Sequence, residues 1–140
     1  MTEIRWVQVT QDALESAKLE QAVRDTGAGA IVTFNGEVRD HDHGRTVTAL
    51  HYEGHPTAEQ VLREVAEQIA AAHDVIALAI AHRVGPVAIG EAAFVVSVSA
   101  AHRGEAFAAC AAAVDLTKEK LPVWKHQWFA DGTDEWVNFA

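Results

Sequence analysis

The sequence predicts an α+β chain with about three helices and a mostly antiparallel sheet. Alternating segments at 75–84 and 92–99 are joined by Gly85-Pro86-Val87-Ala88-Ile89-Gly90, whose glycines and proline mark a turn, so the two read as an antiparallel pair. After Thr57, residues Ala58, Val61, Leu62, Val65, Ile69 and Ala72 recur at helical spacing. Strand and helix signals are interspersed without repeats or low-complexity linkers, which suits one α+β domain over residues 1–140. With 140 residues, 49% of them hydrophobic, the chain can build one core and is too short to expect two.

In chain order, Ile4, Trp6, Val7 and Val9 define a strand over 4–9. Asp12 followed by Glu15 offers a helix start for a segment running to about Arg24, ended by Gly27 and Gly29. Residues 30–39 are β-rich, and Gly36 inside them predicts a bulge or a close backbone approach. Asp40-His41-Asp42-His43-Gly44-Arg45 reads as a polar loop before a strand over 47–53. Thr57 and Gln60 then form a capping box at the head of the second helix. From Gly104 an alanine-rich helix carries Phe107, Cys110, Ala111 and Val114 on one stripe, with Lys118 at its edge. Pro122 stops that helix. Residues 123–129 alternate as a strand, and Asp131-Gly132 turns the chain into a last strand through Trp136, Val137 and Phe139.

A formal charge of −9 and the lack of any basic run argue against a nucleic-acid backbone or an anionic membrane as partner. The lone Cys110 excludes an intramolecular disulfide and a multi-cysteine zinc site, and it reads as a buried structural thiol. The first residues carry no signal segment and no apolar run reaches membrane-spanning length, so the expectation is a soluble, cytoplasmic chain. Asp40 to His43 has metal-ligand residue types, but a turn of this composition reads as solvated, and no metal or cofactor is assigned.

Against this acidic background the cations near the end stand out. From residue 64 onward the only ones are Arg83, Arg103, Lys118, Lys120 and Lys125. Lys118 closes a helix and Lys125 sits mid-strand just past the Pro122 break, which can return it to the helix end. Half-buried lysines can lose proton affinity and so act as base or nucleophile, whereas Lys120 reads as solvent-facing. His102-Arg103 opens a helix, where free amides and a bidentate guanidinium suit a phosphate. Arg39, beside the Gly36 bulge, is a further cation, and Phe34 lies on the same strand. Taken alone, each has a structural reading too: a helix-end charge, a strand-end histidine, a surface ion pair or a core aromatic.

Five motifs in order, Phe34-Asn35-Gly36-Glu37-Val38-Arg39, His82-Arg83-Val84-Gly85, Gly90-Glu91, Ala101-His102-Arg103-Gly104-Glu105-Ala106-Phe107, and Asp115-Leu116-Thr117-Lys118 through Pro122-Val123-Trp124-Lys125, resemble the large, catalytic subunit of molybdopterin synthase. The resemblance runs from about Gly27 to Trp136. It departs at Gly54-His55-Pro56-Thr57, where the family carries a tyrosine and a methionine and a longer loop.

What the resemblance implies is an α/β-hammerhead fold, a homodimer, and a heterotetramer with a small ubiquitin-like sulfur-carrier subunit at each end. The implied reaction moves sulfur from the thiocarboxylate at the carrier's Gly-Gly terminus to cyclic pyranopterin monophosphate, forming the dithiolene of molybdopterin. By motif, Lys118 and Lys125 match the family's catalytic lysines; Phe34, Arg39, His102 and Arg103 match its substrate-binding positions. An enzyme whose sulfur is delivered needs no cysteine of its own, and a phosphorylated pterin needs cations. The alternative is a non-catalytic dimeric anion-binding module, or a scaffold for a ubiquitin-like partner.

Overall fold

Residues 1–138 are described by the structure, a computed structural model; Phe139, expected in the last strand, lies outside the described residues. The chain runs β1 (Glu3–Thr10), α1 (Ser16–Ala22), β2 (Ala30–Glu37), β3 (His41–Asp42), β4 (Arg45–Gly54), α2 (Ala58–Ala72), β5 (Ala77–Arg83), β6 (Gly85–Val87), β7 (Ala92–Ala100), α3 (Arg103–Lys120), β8 (Val123–Phe129) and β9 (Asp134–Asn138). One sheet has the order β1-β5-β7-β2 and the other β3-β4-β8-β9, with β6 also paired to β4. Among the described residues only β1 with β5 is parallel, so the α+β, mostly antiparallel expectation holds.

Alternation along β5 shows how the first sheet is covered. Ala77, Ala79 and Ala81 face Leu19 of α1 and Val23 just past its end, while Leu78 and Ile80 join the larger core under α2 and α3. The alanines keep α1 close to the sheet. The opposite face takes Leu62, Val65 and Ile69 of α2, and each large apolar side chain buried there contributes about 1.5–3 kcal/mol. Among the described residues no helix is long and apolar enough to cross a membrane.

Several local expectations are corrected by packing. The first helix begins at Ser16 rather than near Asp12, because the Thr10 hydroxyl accepts the Asp12 amide at 3.0 Å and bends the chain first. The Thr57 capping box does not form. Thr57 Oγ1 instead meets His55 Nδ1 at 2.8 Å and the Gln60 amide donates to Glu64, so burial of Ala58, Leu62, Val65, Ala66 and Ile69 holds α2. Residues 40–45 are a tight hairpin, not an open loop: His43 (φ 51°) and Gly44 (φ 75°) are both left-handed, as a two-residue turn of this kind requires. The Gly85–Gly90 link likewise holds a strand, β6, that pairs with Leu50, His51 and Tyr52.

The stripe expected on α3 is displaced by about one residue. The buried face is Ala106, Ala109, Cys110, Ala113 and Thr117, whereas Phe107 is 59% exposed and Ala111 is exposed. Packing against β2, β7 and α2 leaves room for small side chains only, and Phe107 is excluded by its size. The bulge expected at Gly36 is present, with a register shift between Gly36 and Glu37.

Candidate active site

Lys118 and Lys125 are brought together by the way α3 ends. Pro122 cannot continue the helix, Leu121 adopts an extended conformation, and its amide still donates to Thr117 at 2.8 Å. The Pro122 carbonyl accepts the His55 amide at 3.0 Å, which docks the break on the end of β4. From there β8 runs antiparallel to β4, with Val123 opposite Gly54 and Lys125 opposite Tyr52. Where helix, break and strand converge, the lysines therefore lie near enough for the charge of Lys125 to act on Lys118.

Lys118 is exposed as a residue, but its amine reaches to 5.9 Å from the centre of the buried Phe94 ring. Desolvation of that amine is the main cause of its lowered pKa, and the positive charge of Lys125 adds to it. Behind the amine lies an aromatic wall. Phe34 meets Phe94 edge-on at 5.7 Å, Phe94 meets His82 at 5.4 Å, and His82 meets Tyr52 edge-on at 5.2 Å. The buried His82 donates its Nδ1 hydrogen to the Arg83 carbonyl at 2.8 Å, and burial drives its pKa down to about 4, so it stays neutral. Burial pushes Tyr52 up to about 12.

Arg39 and Lys125 line one small cleft of about 70 Å³ together with Asp42, Tyr52 and Gln127. Arg39 reaches Asp42 at 3.5 Å. Gln127, fully buried on the inward face of β8, donates to Asp42 at 2.7 Å and to Glu135 at 2.8 Å. Its hydrogen bond is the first cause holding the Asp42 carboxyl below the usual carboxylate range; desolvation opposes it, and His43, Lys125 and Arg39 reinforce it.

Of the residues singled out from sequence, Phe34, Arg39, Lys118 and Lys125 gather around this region, Lys120 is exposed, and Cys110 is a buried thiol whose pKa is raised by burial. His102 and Arg103 do not join them. Both are exposed at the start of α3, and fifteen residues of helix put Arg103 about 22 Å from Lys118. Sequence reasoning missed Asp42, Tyr52, His82 and Gln127 as parts of the site. Asp42 was set aside with its hairpin, and Gln127 carries no motif; only the inward register of β8 distinguishes it.

Comparison with known proteins follows the same residues. A family model described as MoaE protein matches residues 9–120, so Lys118 lies inside the match and Lys125 just beyond it. The molybdopterin synthase catalytic subunit of Thermoplasma volcanium is 37% identical over 132 residues, covering 94% of this chain and 96% of that protein. A crystal structure of molybdopterin synthase from Staphylococcus aureus superposes with a TM-score of 0.86 at 29% identity, covering 94% of this chain and 96% of that one. A chain from the protein-protein complex of subunits 1 and 2 of the molybdopterin-converting factor of Helicobacter pylori shares the fold, with a TM-score of 0.68 at 20% identity over 98% of this chain and 88% of that one. With the family model spanning most of its length and a relative aligned nearly end to end, the chain belongs to the MoaE family of molybdopterin synthase catalytic subunits.

Proposed function

We propose that this chain is the sulfur-transferring subunit of a molybdopterin synthase, acting as one unit on cyclic pyranopterin monophosphate with sulfur delivered as the thiocarboxylate of a small ubiquitin-like carrier. The observation that carries this reading is the desolvated Lys118 amine beside Lys125, next to the cleft that holds Arg39, in a chain of this family. A lowered proton affinity favours the uncharged, nucleophilic amine, which suits Lys118 for the carrier's acyl terminus. Lys125 serves proton transfer as oxygen leaves and sulfur enters. Arg39 binds the substrate phosphate, and Phe34 forms part of the wall.

His102 and Arg103 belong to the same reading only if a second copy supplies them, since within one chain they sit at the far end of α3. A homodimer is supported by the edge of β2, unpaired among the described residues, and by the groove beside it, lined by the exposed Phe107 and the partly buried Val32, Phe34 and Val114. Assembly with the carrier is supported by the Helicobacter pylori complex named above.

The test is turnover of the pterin precursor by purified chain with thiocarboxylated carrier in excess. Lys118→Ala and Lys125→Ala should each fold and bind the carrier yet lose dithiolene formation by roughly 100-fold or more, the size expected for a removed acid-base group. Lys120→Ala should be nearly silent. Near-parental turnover in both single variants would favour an anion-binding module instead.

A further inference from the structure

Asp42 places a carboxylate among the cations of the proposed site, and the fold spends a buried amide to keep it there. Its side chain is 15% exposed, whereas that of Arg39 is 65% exposed and touches it through a single 3.5 Å contact. Carboxylates only accept, so both hydrogens of the buried Gln127 amide are committed, one to Asp42 and one to Glu135. Glu135 is itself tied to Arg45 at 3.3 Å. Asp42 is therefore fixed from behind while Arg39 is held loosely from in front. A guanidinium in one long, exposed contact is readily taken over by a phosphate, which can accept from two of its nitrogens at once.

We propose that Asp42, anchored by Gln127, is the resident anion of the cleft: it holds Arg39 in place before substrate arrives, gives it up to a phosphate, and so sets which anions the site accepts. This rests on the reading of Arg39 and Lys125 as site residues. A monoanionic carboxylate offers Arg39 little that Asp42 does not already supply. A dianionic phosphate offers more charge and a second acceptor, so it displaces Asp42 from Arg39 where a simple carboxylate competes poorly. Glu37 also lines the cleft, but it is exposed and takes its hydrogen bond from Asn35 at 3.1 Å, so it lacks the buried anchor. Asp42 and Gln127 are on this account positioning and specificity residues.

Calorimetric titration of the full chain with inorganic phosphate and, separately, with acetate tests the proposal. The parent should bind phosphate well above acetate. In Asp42→Asn, which keeps the shape and can still accept from Gln127, both anions should bind more tightly, phosphate by about fivefold, the factor a weak exposed ion pair is worth. In turnover the same variant should lower KM for the precursor while kcat falls, a split that a merely structural residue would not produce. Gln127→Met keeps the Asp42 charge but frees it to follow Arg39, and should weaken phosphate binding. Unchanged or weaker phosphate binding in Asp42→Asn, or parental affinity in Gln127→Met, would overturn the proposal. If instead Arg39→Ala and Lys125→Ala both bind phosphate like the parent, the site reading itself is at fault.

Discussion

His82 shows how a residue quoted in a motif acquires a physical consequence only in its surroundings. It sits among Tyr52, Phe94 and the core side chains of β5, with burial as the first cause of a pKa near 4. An unfolded chain takes up this proton near pH 6.5, whereas the folded chain resists it until about pH 4. Above pH 6.5 both states are neutral and His82 contributes nothing to pH dependence. Below it the unfolded state binds the extra proton, so stability falls as pH falls through the window from 6.5 to 4. Between pH 7 and pH 5 the expected loss is about 2 kcal/mol. Urea melts at the two pH values should show it in the parent, and His82→Phe, which retains an aromatic ring at this position, should show much less of it. Equal pH sensitivity in both would place the titrating group elsewhere. Lys118 differs in kind, since its amine is desolvated but its residue is exposed; its lowered proton affinity bears on the proposed chemistry more than on folding.

Among the elements, β2 carries the tightest steric constraint. A Cβ built on Gly29, just before the strand, would lie 2.5 Å from the Ala101 carbonyl oxygen, and backbone cannot swing aside as a side-chain tip can. Gly29→Ala should therefore cost about 1–3 kcal/mol, read as a lower thermal midpoint. Because Ala101 immediately precedes His102 and Arg103, the same change should disturb the start of α3 while leaving its far end, with Lys118, largely in place. Parental stability in Gly29→Ala would mean that the two segments can separate without cost. Element existence and order were legible because each strand or long helix carries its own periodicity and punctuation. The short pieces β3 and β6 were not, since two or three residues have no period, and both exist only because β4 offers them a partner.

At the scale of the molecule, the edge of β2, unpaired among the described residues, and the apolar flank of α3 lie side by side, and Phe107 stands out from them at 59% exposure. A solvated aromatic beside a free strand edge is the kind of surface a second copy covers. Sedimentation at micromolar concentration should give a dimer for the parent and a monomer for Phe107→Asp, with both variants folded by circular dichroism. A parental monomer would remove the means of bringing His102 and Arg103 to Lys118.

By itself the sequence determined the α+β class, the order of its main elements, the family, and four of the residues that gather at the candidate site: Phe34, Arg39, Lys118 and Lys125. These were readable because periodicity, helix breaks and residue type are local, and because the family's motifs lie intact along the chain. Tertiary structure decided which face of α3 is buried, since that depends on how closely β2, β7 and α2 approach it and not on where its largest apolar side chain falls. It decided that the chain past Pro122 returns Lys125 to the neighbourhood of Lys118, and that His102 and Arg103 stay a helix length away. It also decided the juxtaposition of Asp42 and Gln127. Their contact joins residues 85 positions apart, through the pairing of β3 and β8 with β4, and no local pattern encodes it.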